Sequence, residues 1–168
     1  MGGLALAMMG GESEDALALI ERSTILNPNS ASAWMASGMT RAYKGDSSVA
    51  IEHLERAAQL SPLDPLVYLT WYGFSFAHFA DARHKEASAW VDRALRAAPN
   101  YLPAMRLKTA LCGLLGQAEE GRKWVSRLVN ISPDATLTTL RTYYGCAIQK
   151  AKSLEAMIEG LRKAGLPE

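Results

Sequence analysis

With 168 residues, 49% of them hydrophobic and 21% charged, the chain is long enough to bury a sizeable core and too apolar to remain disordered. Its formal net charge is +1, and the 18 basic residues are spread along the sequence rather than clustered. That excludes the concentrated basic surface required by nucleic acid or an anionic membrane. Cys112 and Cys146 form no CxxC pair and no window reaches the ~20 apolar residues of a membrane span, so reduced thiols in a cytoplasmic protein are expected.

No stretch alternates with period two, so the chain is expected to be all-α. Helical periodicity and breakers predict helices over 2–10, 13–26, 30–44, 47–60, 65–81, 84–97, 101–115, 118–131, 134–147 and 153–164. The first, with Gly2 and Gly3 at its start and no N-cap, reads as part of a clipped unit whose upstream portion is missing. From 13 onward a repeat emerges. Ala16, Ala50, Ala87 and Gly121 open alternate helices at spacings of 34, 37 and 34, and Pro28, Pro62, Pro99 and Pro133 close them at the same spacings. Two independent landmarks in one register define a helix–turn–helix unit.

Within each unit the first helix carries a large residue (Trp34, Trp71, Met105) and, four positions on, a small one (Gly38, Ser75, Thr109) where two helices approach closely. The turn between helices carries Gly11, Gly45, Ala82 and Gly116, placed where a helix C-terminus needs positive φ. The three extra residues of the middle spacing fall in Leu63-Asp-Pro-Leu-Val67. Asp64 is a good N-cap and Pro65 suits a first helical position, so one added turn on that helix is expected. At the C-terminus Leu154, Met157, Ile158 and Leu161 form one apolar stripe, which reads as a capping helix over the last unit. Arg141–Lys150 fits no unit.

The register resembles the tetratricopeptide repeat (TPR) family over residues 1–135. The resemblance implies an antiparallel helix-pair superhelix of about four repeats plus a capping helix. It would comprise a clipped unit (1–30), full units at 31–64, 65–101 and 102–135, and a helical cap at 136–168. The phrases Leu26-Asn-Pro-Asn-Ser-Ala-Ser-Ala-Trp34, Ala50-Ile-Glu-His-Leu-Glu-Arg-Ala57 and Glu159-Gly-Leu-Arg-Lys-Ala-Gly-Leu-Pro-Glu168 are similar to the C-terminal TPR region of bacterial class III adenylate/guanylate cyclases. That likeness implies a parent enzyme in cyclic-AMP signalling whose catalytic domain lies upstream. The alternative is the TPR region of a winged-helix transcription regulator.

No motif for chemistry appears. There is no HExxH, no zinc-spaced Cys/His cluster, no phosphate loop and no GxSxG elbow. His53 is expected at the surface, His78 and Cys112 in packing slots and His84 in a turn. The chain is therefore expected to be no enzyme and to need no metal or cofactor; a helical enzyme with a site built from scattered residues is the remaining alternative. In TPR proteins the first helices line a concave groove. Helical spacing puts Met35 and Met39, then Leu69, Tyr72, Phe76 and Phe79, then Arg106 on that face. These seven are the expected partner-binding patch, for a protein, a peptide or a second copy. The competing possibility is that the C-terminal segment or a second copy fills it. The absence of clamp-type Lys and Asn positions argues against recognition of an acidic tail.

Overall fold

A computed structural model of the chain describes residues 13–168, with side-chain surroundings from residue 18 onward. The expected first helix and Gly11 lie outside the described residues. Among the described residues all regular structure is helical: α1 (Ser13–Leu26), α2 (Ala31–Lys44), α3 (Ser47–Leu60), α4 (Val67–Ala80), α5 (His84–Ala97), α6 (Leu102–Leu114), α7 (Ala118–Ile131), α8 (Leu137–Ala147) and α9 (Ala151–Ala164). Helices α2/α3, α4/α5 and α6/α7 form antiparallel pairs, and α4 also packs on both helices of the pair before it. The all-helical superhelix expected from the register is the fold observed.

The pairs meet through the small slots. A Cβ on Gly38 would lie 2.6 Å from Leu54 Cγ and 2.9 Å from the Ala50 carbonyl oxygen. Only glycine lets α2 approach α3 so closely. Ala50, Ala87 and Leu54 are fully buried. The inter-helix turns use the left-handed region as expected: Gly45 has φ 93°, Gly116 72°, and Ala82 enters it at 58° although it carries a Cβ.

Two expectations about local structure fail. The insertion at 63–67 does not lengthen α4, which has 14 residues like its neighbours. Instead the Asp64 carboxylate accepts from the Leu66 amide (2.8 Å) and the Asp64 carbonyl accepts from that of Val67 (3.0 Å), which folds the extra residues into consecutive turns. Asp thus acts as a turn former in competition with helix capping. His53, expected at the surface, is half-buried: its Nδ1 shares a 2.9 Å hydrogen bond with Ser37 Oγ, and its ring meets Trp34 edge-on at 4.8 Å.

At the C-terminus helix α9 covers the last full unit, as expected. It packs most closely on α6 and only lightly on α7. The tip between α8 and α9 reaches the first unit, where the Gln149 amide donates to the Tyr43 carbonyl (3.1 Å). The two helices form a hairpin, held by the paired Arg141–Glu155 contacts (2.8 and 3.0 Å) and by Leu137 N–H donating to the Pro167 carbonyl (2.8 Å). The hairpin lies back across the first helices of the units.

Candidate functional site

The concave face is built from α2, α4 and α6. Its centre is an aromatic band with Tyr43 from α2, Tyr72, Phe76 and Phe79 from α4, and Tyr101 just before α6. The Tyr43 and Tyr72 hydroxyls are 2.8 Å apart, Tyr43 and Phe76 rings are 4.4 Å apart, and Tyr72 meets Tyr101 edge-on at 5.4 Å. Burial pushes the Tyr43, Tyr72 and Tyr101 phenols well above their usual range, so each is a neutral hydrogen-bonding aromatic.

Of the seven expected patch residues, the structure leaves none on an open surface. Tyr72, Phe76 and Phe79 are at most 2% exposed, and so is Met39. Two physical causes separate them. Met39 lies against the next unit: a Cβ on Gly73 would meet Met39 Cγ at 3.3 Å, so this slot is inter-unit core. Of the α4 aromatics, Tyr72 and Phe76 pack on Tyr101 and Tyr43 of the repeats, and Phe79 lies under the hairpin, sharing a cavity wall with Lys150, Ser153 and Ala156. Leu69 is half-buried, and Met35 lines a small cleft between the starts of α2 and α4. Arg106 is occupied from α8, its guanidinium carbon standing 5.0 Å from the Tyr143 ring centre. The C-terminal segment, the alternative occupant expected for this face, lies against it at Phe79 and Arg106.

Further contacts at its tip, middle and far end fix the hairpin to the face. At its tip Lys150 Nζ donates to the Ala80 carbonyl (2.9 Å) and lies 3.7 Å from Asp81. In its middle Tyr144 is fully buried beside the aromatic band; its hydroxyl and Arg106 Nε have no hydrogen-bond partner. At its far end Gly160 and Gly113 bring α9 against α6 backbone to backbone. A Cβ on Gly113 would fall 1.9 Å from the Gly160 carbonyl oxygen, and one on Gly160 would fall 2.4 Å from that of Ala110. Small residues on both apolar faces were the sequence signal for this docking. Cys112, buried nearby, has its thiol pushed up by desolvation, which suits packing rather than nucleophilic chemistry.

On the opposite side, between the second helices, an open cleft of about 420 Å³ is walled by Trp71, Phe74, Trp90 and Arg93. Its aromatic faces are already engaged: Phe74 stacks on Trp90 at 4.6 Å, and the Arg93 guanidinium lies 4.3 Å from the Trp71 ring centre. Among the described residues no group of three or more His, Cys, Asp or Glu could hold a metal, and no helix is long and apolar enough to cross a membrane.

This architecture matches solved TPR structures over nearly its whole length. TTC0263, a thermophilic TPR protein from Thermus thermophilus, superimposes with a TM-score of 0.66 at 20% identity, covering 96% of this chain and 94% of that one. The chain has the tetratricopeptide-repeat fold. MamA matches with a TM-score of 0.61 at 18% identity (92% and 87% covered), and YrrB, a TPR protein with an unusual peptide-binding site, with 0.57 at 17% (95% and 82%). No protein-family model matches the sequence, and no curated relative does. The repeat fold is thus visible in three dimensions and in the spacing of landmarks, while overall identity to these TPR proteins stays at or below 20%.

Proposed function

We propose that the chain is a non-catalytic protein-interaction scaffold whose concave face holds its own C-terminal hairpin as an intramolecular ligand, and that partners engage by taking the hairpin's place. The observation that carries this is a separate helical hairpin seated on the first helices, over Phe79 at its tip and against α6 through Gly113 and Gly160. The hairpin presents what a helical partner would: a buried aromatic (Tyr144), an apolar stripe (Met157, Ile158, Leu161) and a lysine at its tip. YrrB, similar in fold, has a peptide-binding site, which supports the same use of this one. Met35, Met39, Leu69, Tyr72, Phe76, Phe79 and Arg106 remain the proposed partner-facing set, with Met39 acting by supporting the wall. The sequence resemblance supports a cytoplasmic regulatory region of a bacterial nucleotide cyclase; cyclase motifs in the upstream reading frame would establish that, and winged-helix motifs there would replace it.

The test uses a fluorescent peptide of residues 134–168 and the full chain. Gly160→Leu, which cannot dock against Ala110, should bind the peptide, while the wild type should not. Adding Arg106→Ala should weaken capture. Lys150→Ala, which loosens the tip, is the milder second variant. Circular dichroism melting confirms that each remains helical. Helical variants that fail to take up the peptide would refute exchange at this face.

A further inference from the structure

Two of the contacts that seat the hairpin lie on one helix, α9, and involve residues ten positions apart, Lys150 and Gly160. At the start of α9 the half-buried Lys150 spans the turns of two units. Its stem passes over Gly45, where a Cβ would fall 2.6 Å from Lys150 Cδ. Its ammonium donates to the Ala80 carbonyl (2.9 Å) and stands 3.7 Å from Asp81, which Arg83 also approaches at 3.3 Å. Ala80 is the last residue of α4, so its carbonyl is among the last-turn acceptors that no helix amide satisfies. A helix C-terminus carries partial negative charge, and the Asp81 carboxylate adds to it. The tip of the face is a socket for a cation on a long apolar stem.

Toward the other end of α9 the requirement is steric. A Cβ on Gly160 would fall 2.4 Å from the Ala110 carbonyl oxygen and 3.0 Å from Ala110 Cα, backbone atoms of α6 that cannot swing aside. One turn on, the buried Ala164 is closed in from α7 as well: a Cβ on Gly121 would lie 3.2 Å from the Ala164 Cβ. Met157, Ile158 and Leu161, at most 1% exposed, complete the buried side. Ten residues of helix span roughly 15 Å, so the socket and the crossing point together gauge both the charge and the width of whatever helix lies here.

We propose that the concave face selects its partner by these two points: the occupant that replaces the hairpin is one amphipathic helix of a separate protein, with a lysine at its start, a glycine ten residues later and a small residue four beyond that. The assignment rests on hairpin exchange at this face and adds what the exchanging helix must carry. The occupant in view, α9, meets all three requirements. Charge is complementary at the socket, and the α6 backbone rejects any side chain at the crossing, which gives specificity by repulsion as well as attraction. A second copy offers only the contacts that the chain already makes, and its association forfeits translational freedom. A different helix can improve on them, because the hairpin leaves the Tyr144 hydroxyl and Arg106 Nε without partners.

The experiment titrates fluorescent peptides with the full chain carrying Gly160→Leu, with Lys150→Ala as a second host, and reads anisotropy; circular dichroism melting checks that each host stays folded. A peptide of residues 148–168, α9 alone, should bind. Its Gly160→Ala form should bind about tenfold more weakly. Alanine is the better helix former, so helix propensity alone would move the affinity the other way. The Lys150→Glu peptide should also lose about tenfold, and regain it on a host that also carries Asp81→Lys, where the native peptide is weakened in turn. One alanine inserted after Ser153 turns the two points about 100° apart and should abolish binding. If all these peptides bind alike, the two-point rule is overturned and hairpin exchange stands. Binding of the 134–168 peptide but not of 148–168 would make the hairpin the ligand and overturn the single-helix assignment. Failure of 134–168 itself would remove exchange and the rule together. Dimerisation of the wild type in sedimentation, lost with Lys150→Glu, would make a second copy the occupant and overturn the assignment to a separate protein.

Discussion

The tightest glycine contact among the described residues supplies the sharpest stability test. Glycine in a helix interior normally costs about 1 kcal/mol relative to alanine, so Gly→Ala there should stabilise where space allows. Gly113 in α6 has no space. Its Cβ would sit 1.9 Å from the Gly160 carbonyl oxygen and 2.9 Å from the Ala164 amide nitrogen. Both are backbone atoms inside α9 and cannot swing aside. Restoring normal contact requires α9 to retreat by roughly 1.5 Å. Overpacking of this kind costs typically 1–3 kcal/mol, and retreat also opens gaps around Met157 and Leu161, both fully buried. The clash outweighs the propensity gain, and a net loss of about 2 kcal/mol is expected for Gly113→Ala. Gly145 in α8 is the control, because nothing lies within 4 Å of the Cβ it would carry. Gly145→Ala should gain about 0.5 kcal/mol. Urea unfolding followed by far-ultraviolet circular dichroism measures both. If Gly113→Ala is as stable as the wild type, α9 is not seated on α6 and the account of the C-terminus is wrong.

Three other outcomes follow from the same contacts. Tyr72→Ala with Phe76→Ala removes two fully buried rings at about 3–5 kcal/mol each, comparable to a whole domain's stability, so melting should show an unfolded or barely folded chain. Ala82→Gly relieves the left-handed backbone at φ 58° and should raise stability by about 1 kcal/mol, seen as a higher urea midpoint; an unchanged midpoint would mean the turn is unstrained. Burial lowers the folded-state pKa of His53, His78 and His84 from 6.5, so the unfolded chain binds more protons than the folded one just below that value. The stability they contribute is present above pH 6.5 and lost as pH falls, and the drop in melting temperature between pH 7.5 and 5.5 should shrink when all three are replaced by Gln.

The repeat was legible because it rests on local devices. Gly38, Ser75 and Thr109 must be small where helices touch, and Pro28, Pro62, Pro99 and Pro133 must stop helices; each leaves a mark at fixed spacing. Even Ala82, which lacks the permissive residue for its turn, was placed by register alone. The face assignment was less legible, because helical spacing says which residues share a side and not what covers it. Met39 and Phe79 lie on the same helical face of their units yet meet different neighbours, one the next unit at Gly73 and one the hairpin. The hairpin itself was illegible as a position. Its stripe of Leu154, Met157, Ile158 and Leu161 reads equally well as a cap on α7 or as a lid on α6. Only Gly113 and Gly160, small residues on two apolar faces far apart in sequence, distinguish the two, and their pairing is a tertiary fact. Asp64 misled for another reason: the same side chain caps helices and closes turns.

The fold-back of the hairpin is the central claim, and zero-length carbodiimide cross-linking tests it most directly, because Lys150 Nζ stands 3.7 Å from the Asp81 carboxylate across the concave face. Treated at high dilution and digested, the monomer should yield a linked peptide joining Lys150 to Asp81. If Lys150 instead links to Glu119 or Glu120 at the start of α7, or to nothing within the monomer, the hairpin does not lie across the first helices and the concave face is open.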